Sequence, residues 1–209
     1  MVGRVIETQA CVSEGAEWLA RADIRFAELL KVTGPLPLRR RDDGFSALVG
    51  AIVSQQVSVA SANAIMGRLQ DAGLTDAATV ARASDDDLRS VGLSRQKIRY
   101  LRALADAEIP YAALRKRPTE EVLETLIAVP GIGRWTAEIY AMFSLGRADV
   151  FASGDLALQE AARIVFDLPA RPSEAQLRRM AEDWSPWRAV AARALWAYYR
   201  VVKEREGIR

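Results

Sequence analysis

The residues that could do chemistry cluster in the second half of this 209-residue chain. Residues 129 to 166 read "VPGIGRWTAEIYAMFSLGRADVFASGDLALQEAARIVF": a Pro-Gly-Ile-Gly turn, an amphipathic run, then a lone acid, Asp155, twenty residues after Trp135. Gly131 and Gly133 permit backbone angles that a β-carbon penalises, and Pro130 stiffens the entry. The amides that follow, Gly133 and Arg134 through Thr136, fall at a predicted helix N-terminus. Oriented N–H groups and the helix dipole attract an anion there. A plain corner between two helices would use the same turn. Asp155, between Gly154 and "LALQEAARIVF", reads as a helix N-cap. The capping reading is compatible with a chemical one, because amides and dipole favour the anion of a carboxylate so placed. Such a fixed charge can stabilise a cation that develops beside it.

Composition narrows the chemistry further. The chain has no histidine and one cysteine, Cys11, which excludes Ser-His-Asp, Cys-His and His-metal catalysis, an internal disulfide and cysteine-ligated metal. What remains is carboxylates, hydroxyls, amines, backbone dipoles and aromatic faces. Four of the five tryptophans, Trp135, Trp184, Trp187 and Trp196, lie in the second half. Most are expected in the core, although aromatic faces also stack on a cationic ring. The net charge of +2 hides an asymmetry, with eight basic and two acidic residues over 88–117. That stretch reads either as a solvated helical face or as a surface that meets phosphates.

The elements that must position these groups are helical nearly throughout. Apolar residues recur at three- and four-residue spacing over 16–30, 45–70, 95–105, 120–129, 134–145, 155–166, 174–184 and 187–202. "SDDD" (84–87) and "SEAQ" (173–176) read as capping boxes, and "SPW" (185–187) puts Ser185 at an N-cap and Pro186 in a first turn. No segment alternates with period two for long enough to form a sheet. The expectation is an all-α protein of eight to eleven helices. "LRSVGLSRQKIRYL" (88–101) and "LIAVPGIGRWTAEIY" (126–140) echo each other as helix, glycine turn, arginine, helix, which suggests two turned pairs stacked side by side. The longest clean apolar run, "ALVGAIV" (47–53), is far too short to cross a membrane, and "MVGRVIETQACV" has no signal-peptide core. A cytoplasmic protein without membrane partners is expected.

The stretch "LIAVPGIGRWTAEIYAMFSLGRADVFASGD" resembles the helix-hairpin-helix, Gly/Pro-loop and aspartate signature of DNA base-excision glycosylases, and most of all the 3-methyladenine DNA glycosylase II family. "LVGAIVSQQVSVASANAI" (48–65), "VGLSRQKIRYLRALA" (91–105) and "WSPWRAVAARALWAYY" (184–199) extend the resemblance over roughly residues 44 to 199. It implies an all-α fold of two helical lobes with the active-site cleft between them and the hairpin at about 120–145. Residues 1–209 would form a single catalytic domain, its terminal segments sharing one lobe, without the amino-terminal α/β domain of longer members. The implied partner is double-stranded DNA containing alkylated bases, bound by a monomer. The family's catalytic aspartate falls on Asp155. Its pocket aromatics fall on Trp135 and Trp196, with Tyr140 beside Ile139, which stands where another pocket aromatic is found. The phosphate grip falls on Gly131, Gly133, Arg134 and Thr136, and the wedge that fills the hole left by a flipped base falls on Gln56. Gln55 and Gln56 also read simply as polar residues of a turn. No cofactor is implied, beyond a structural Na+ or K+ on the backbone carbonyls of Ile127, Val129 and Ile132.

The resemblance gives the lone acid its task. As a base leaves deoxyribose, the sugar gains oxocarbenium character, which an anion stabilises. At about 4 Å and an effective dielectric near ~20, the gross attraction is roughly 4 kcal/mol, about a thousandfold in rate. One acid suffices where the leaving group is already cationic, as in an N3- or N7-alkylated purine. In bifunctional relatives a lysine occupies the place of Trp135 and attacks the sugar. Tryptophan offers no nucleophile, and Lys97 and Lys116 lie outside the motif, so water is the expected nucleophile. A non-catalytic helix-hairpin-helix module would need the hairpin but not Asp155, the wedge loop or the tryptophans. The set of accepted lesions stays open.

Overall fold

The computed structural model describes residues 2–205. Among them it has thirteen α-helices and one 3-10 helix, and a lone antiparallel bridge, Val5 to Arg147, instead of a sheet. The protein is all-α, as the periodicity predicts. The helix count exceeds the expected eight to eleven, because several elements are too short to show a period.

The chain divides into two compact units. The first comprises the residues up to Arg40 and those from Ala141 onward; the second is Arg41–Tyr140. The first opens with α1 (Gln9–Ala22) and α2 (Ile24–Thr33). The apolar period runs unbroken across this junction, so the sequence reads as one helix over 16–30. Asp23 breaks it: its backbone is extended and its carboxylate accepts the Arg25 N–H at 2.9 Å, starting α2.

The second unit holds α3 (Phe45–Val53), α4 (Val59–Asp71), α5 (Ala77–Arg82), α6 (Asp85–Ser90), α7 (Arg95–Asp106), α8 (Tyr111–Leu114), α9 (Thr119–Ile127) and most of α10 (Arg134–Phe143). Ser58, Asp76 and Ser94 each accept an amide N–H at the start of α4, α5 and α7, and Ser84 with Asp87 closes the expected capping box of α6. The apolar faces bury Leu48, Ile52, Leu69, Val80, Leu101, Leu114 and Leu126 as one core. The two echoing segments become α6–α7 and α9–α10, each turning on a glycine at positive φ, Gly92 at +96° and Gly131 at +93°.

The first unit resumes with the last residues of α10 and continues through α11 (Leu156–Val165), α12 (Glu174–Met180), the 3-10 helix (Ala181–Trp184) and α13 (Arg188–Arg205). The capping box of Ser173 and Gln176 starts α12 as expected. Ser185 and Pro186 depart from expectation. The ladder of α13 starts with Ala191 N–H to Trp187 O (3.0 Å), and the Ser185 hydroxyl donates to Asp149 (2.9 Å) instead of capping. Burial of Trp184 and Trp187 on either side of this dipeptide outweighs the local cap signal. Ala189, Ala191, Ala192 and Ala194 are all buried on α13. Such small side chains allow close approach of neighbours. At Gly15 of α1 an added Cβ would lie 2.7 Å from Trp187 and Val190.

Candidate functional site

Asp155 is the N-cap of α11, as the sequence indicates, and more. Its Oδ1 accepts the amides of Ala157 and Leu158, both at 3.0 Å, and the indole N–H of Trp196 at 3.1 Å. Two donors come from the helix that the carboxylate caps, the third from α13. The turn before it is fixed by Asp155 N–H to Ala152 O (2.9 Å), and by the Gln159 amide side chain donating to Ser153 O (2.9 Å). These three donors converge on one oxygen of the acid. A carboxylate so held costs little reorganisation when charge develops nearby.

Trp196 is in turn oriented by what lies beneath it. Its ring sits 5.8 Å from that of Phe143, tilted by 32°. The guanidinium carbon of Arg193 lies 4.8 Å from the Phe143 centroid. Arg193 is buried and donates to the carbonyls of Leu38 and Ala189. Burial, and then Arg39 and Arg40, push its pKa down to about 10. Phe143 and Arg193 lie within the stretches 126–155 and 184–199 that carry the resemblance, but nothing in those stretches singles them out.

In the second unit the hairpin takes the predicted form. The first i→i−4 bond of α10 is Ala137 N–H to Gly133 O (3.1 Å), so the amides from Gly133 to Thr136 precede the ladder. Gly131 needs to be glycine for internal reasons: at φ +93° a Cβ would come 2.4 Å from the Tyr100 ring. Gly133 has no such reason, since a Cβ there meets nothing within 4 Å. A side chain there would project into open space. Arg134 is half-exposed and reaches Glu138 at 3.4 Å. Thr136 is buried.

Trp135, on the first turn of α10, keeps 46% of its surface exposed, which is unusual for so large an apolar group. Tyr140 is different. It is 4% exposed, its hydroxyl accepts the Gly44 N–H at 2.9 Å at the start of α3, and burial pushes its pKa up to about 12. Nearby Asp43 is held by a bidentate pair with Arg115, both bonds at 2.6 Å. Trp184 packs with Phe26, Phe151 and Phe166 in an aromatic cluster, which is the core role expected of most tryptophans.

The loop "SQQVS" interrupts the helical period of 45–70 between α3 and α4. Gln56 is exposed and adopts φ +58°, the left-handed region that non-glycine residues rarely occupy. Gln55 turns inward, its side-chain amide donating to Gly131 O at 2.9 Å. The structure thus brings together Gln55, Gln56 and the hairpin turn in one unit, and Asp155 and Trp196 in the other.

The model of the family described as HhH-GPD superfamily base excision DNA repair protein matches residues 49–186. The chain is 31% identical over 190 residues to DNA-3-methyladenine glycosylase 1 of Schizosaccharomyces pombe, covering 85% of this chain and 83% of that protein. Among solved structures, the DNA-3-methyladenine glycosidase of Bacillus halodurans matches with TM-score 0.83 and 31% identity, over 98% of this chain and 95% of that one. The S. pombe 3-methyladenine DNA glycosylase in complex with abasic DNA matches with TM-score 0.77 and 29% identity, over 88% and 95%.

Proposed function

The chain belongs to the HhH-GPD superfamily of base excision DNA repair proteins, and from that premise we propose that it is a DNA glycosylase hydrolysing the N-glycosidic bond of alkylated bases of the 3-methyladenine type. The relatives' names support the substrate class. The observation that carries the mechanism is the carboxylate of Asp155, held on Oδ1 by two helix amides and the Trp196 indole. Fixed in this way, it stabilises the oxocarbenium-like sugar as the base departs. The donor on Trp196 also fixes an aromatic face beside the acid; in the other unit, taken by itself, Trp135 offers an exposed aromatic face. A flipped, cationic purine ring stacks on such faces.

The hairpin grips a DNA phosphate with the amides of Gly133, Arg134 and Thr136, and Gly131 shapes the turn that aims them. These contacts carry no base identity, so they position the enzyme without selecting sequence. Gln56 enters the stack where the lesion leaves it. The carbonyls of Ile127, Val129 and Ile132 suit a monovalent cation as hard oxygen donors. Val129 O accepts the Ile132 N–H, while no described backbone amide bonds to Ile127 O or Ile132 O outside the helices. A cation on these oxygens would rigidify the turn. No group of three or more His, Cys, Asp or Glu able to hold a metal occurs among the described residues.

The nucleophile is water, since Trp135 occupies the place of the lysine in the motif. Purified protein incubated with DNA carrying 3-methyladenine and 7-methylguanine should release free base and leave an intact abasic strand. Borohydride added during turnover should trap no protein–DNA adduct. Strand cleavage that keeps pace with base release would move the protein to the lyase class, and no release from any alkylated duplex would sink the reading.

A further inference from the structure

Two neighbouring glutamines in the α3–α4 loop have opposite fates. Gln56 is exposed in the left-handed region, a strained conformation for a non-glycine residue that persists only where its surroundings impose it. Gln55 is fixed inward, its Nε2–H donating to the carbonyl of Gly131 at the hairpin turn. The start of the loop is tied down as well, by Ser54 N–H and Ser54 Oγ–H to Gly50 O, and by Lys97 Nζ to Val53 O at 2.7 Å. Its end is fixed by Ser58, which caps α4.

The same helix that holds the loop also holds the hairpin. On α7, Lys97 reaches the end of α3, and the Tyr100 ring lies so close to Gly131 that no Cβ fits between them. Gln96 donates to the Tyr100 hydroxyl and steadies the ring. One bond of Gln55 therefore spans from the phosphate-gripping turn to the residue beside the wedge.

We infer that Gln55 is a positioning residue that couples the hairpin turn to the wedge, holding Gln56 in its left-handed conformation through the bond to Gly131 O. This rests on the glycosylase reading above and adds to it a residue that touches neither lesion nor phosphate. Hairpin engagement and wedge presentation then become one rigid arrangement, and Gln56 needs no ordering when it enters the duplex.

A double-mutant cycle tests this, read by 2-aminopurine placed next to a lesion and by single-turnover base release. Gln55→Met and Gln55→Glu both remove the donor while keeping the side chain's length. Each should lower base unstacking and release roughly fivefold, the worth of one hydrogen bond. Gln56→Ala removes the wedge itself. In that background Gln55→Met should cost less than about twofold, because there is no wedge left to position. Circular dichroism and thermal unfolding establish that each variant is folded, and a purely structural role would lower every variant's activity by the same factor in either background. Losses that multiply, or a Gln55→Met enzyme as active as wild type, overturn the inference while leaving the glycosylase reading intact. A wild-type protein that neither unstacks nor releases a base overturns both.

Discussion

At the scale of single residues, Asp155 does two jobs with one side chain. As an N-cap it accepts amides of α11, and the same oxygen takes the Trp196 indole. Asparagine at this position keeps an oxygen for the cap and loses only the charge. Asp155→Asn should therefore leave unfolding stability within about 1 kcal/mol of wild type. Base release should fall about a thousandfold, with affinity for an abasic-site duplex nearly unchanged. Single-turnover kinetics beside a binding titration separate these effects, and a mutant within a few fold of wild-type rate would remove Asp155 from the chemistry. Asp155→Ala is the less informative change, because it strips cap and charge together.

At the scale of elements, the hairpin contains two glycines with different reasons for being glycine. Gly131 answers to the fold: positive φ and the Tyr100 ring leave no room for a Cβ. Gly131→Ala should cost roughly 1–3 kcal/mol in stability, visible as a lower denaturant midpoint. Gly133 has no such constraint, since its Cβ would meet nothing within 4 Å, and on the proposed reading it leaves room for a DNA phosphate. Gly133→Val should leave the melting temperature close to wild type and weaken binding to every duplex alike, by roughly tenfold, through loss of a phosphate contact. Unchanged affinity in Gly133→Val would mean that the hairpin amides are not the phosphate grip. The pair shows why a Gly-x-Gly pattern alone is ambiguous: its two glycines look equivalent until the neighbours of each are known.

At the scale of the whole molecule, buried tyrosines make stability sensitive to alkali. Burial raises the pKa of Tyr140 to about 12, and Tyr111 moves in the same direction for the same reason. An unfolded tyrosine ionises near pH ~10. The folded pKa is the higher one, so this contribution is fully present below about pH 10 and is lost as pH rises toward 12. Tyr140→Phe should be less stable near neutrality by about 1 kcal/mol, because the Gly44 amide loses its acceptor. It should also lose less stability than wild type between about pH 10 and 12, in urea titrations across that range. A mutant that declines in parallel with wild type would show that Tyr140 ionises freely in the folded protein.

Local chemistry determined much of this from the sequence alone. The capping boxes at Ser84 and Ser173, the glycine turn ahead of α10 and Asp155 as a cap all depend on residues within four positions of one another, so their types and spacing carry the information. The exclusion of histidine-dependent chemistry and of an internal disulfide needs no structure at all, because the sequence holds no histidine and a single cysteine. The tertiary structure decided what depends on partners far along the chain. Trp196 reaches Asp155 across 41 residues, and Gln55 reaches Gly131 across 76. Tyr140, read as a candidate pocket aromatic, is buried with its hydroxyl bonded to an amide 96 residues away. Ser185 carries a local cap signal, yet burial of two tryptophans redirects its hydroxyl to Asp149. A side chain's type limits which bonds it can form, but which of them it forms is settled by what the folded chain packs against it.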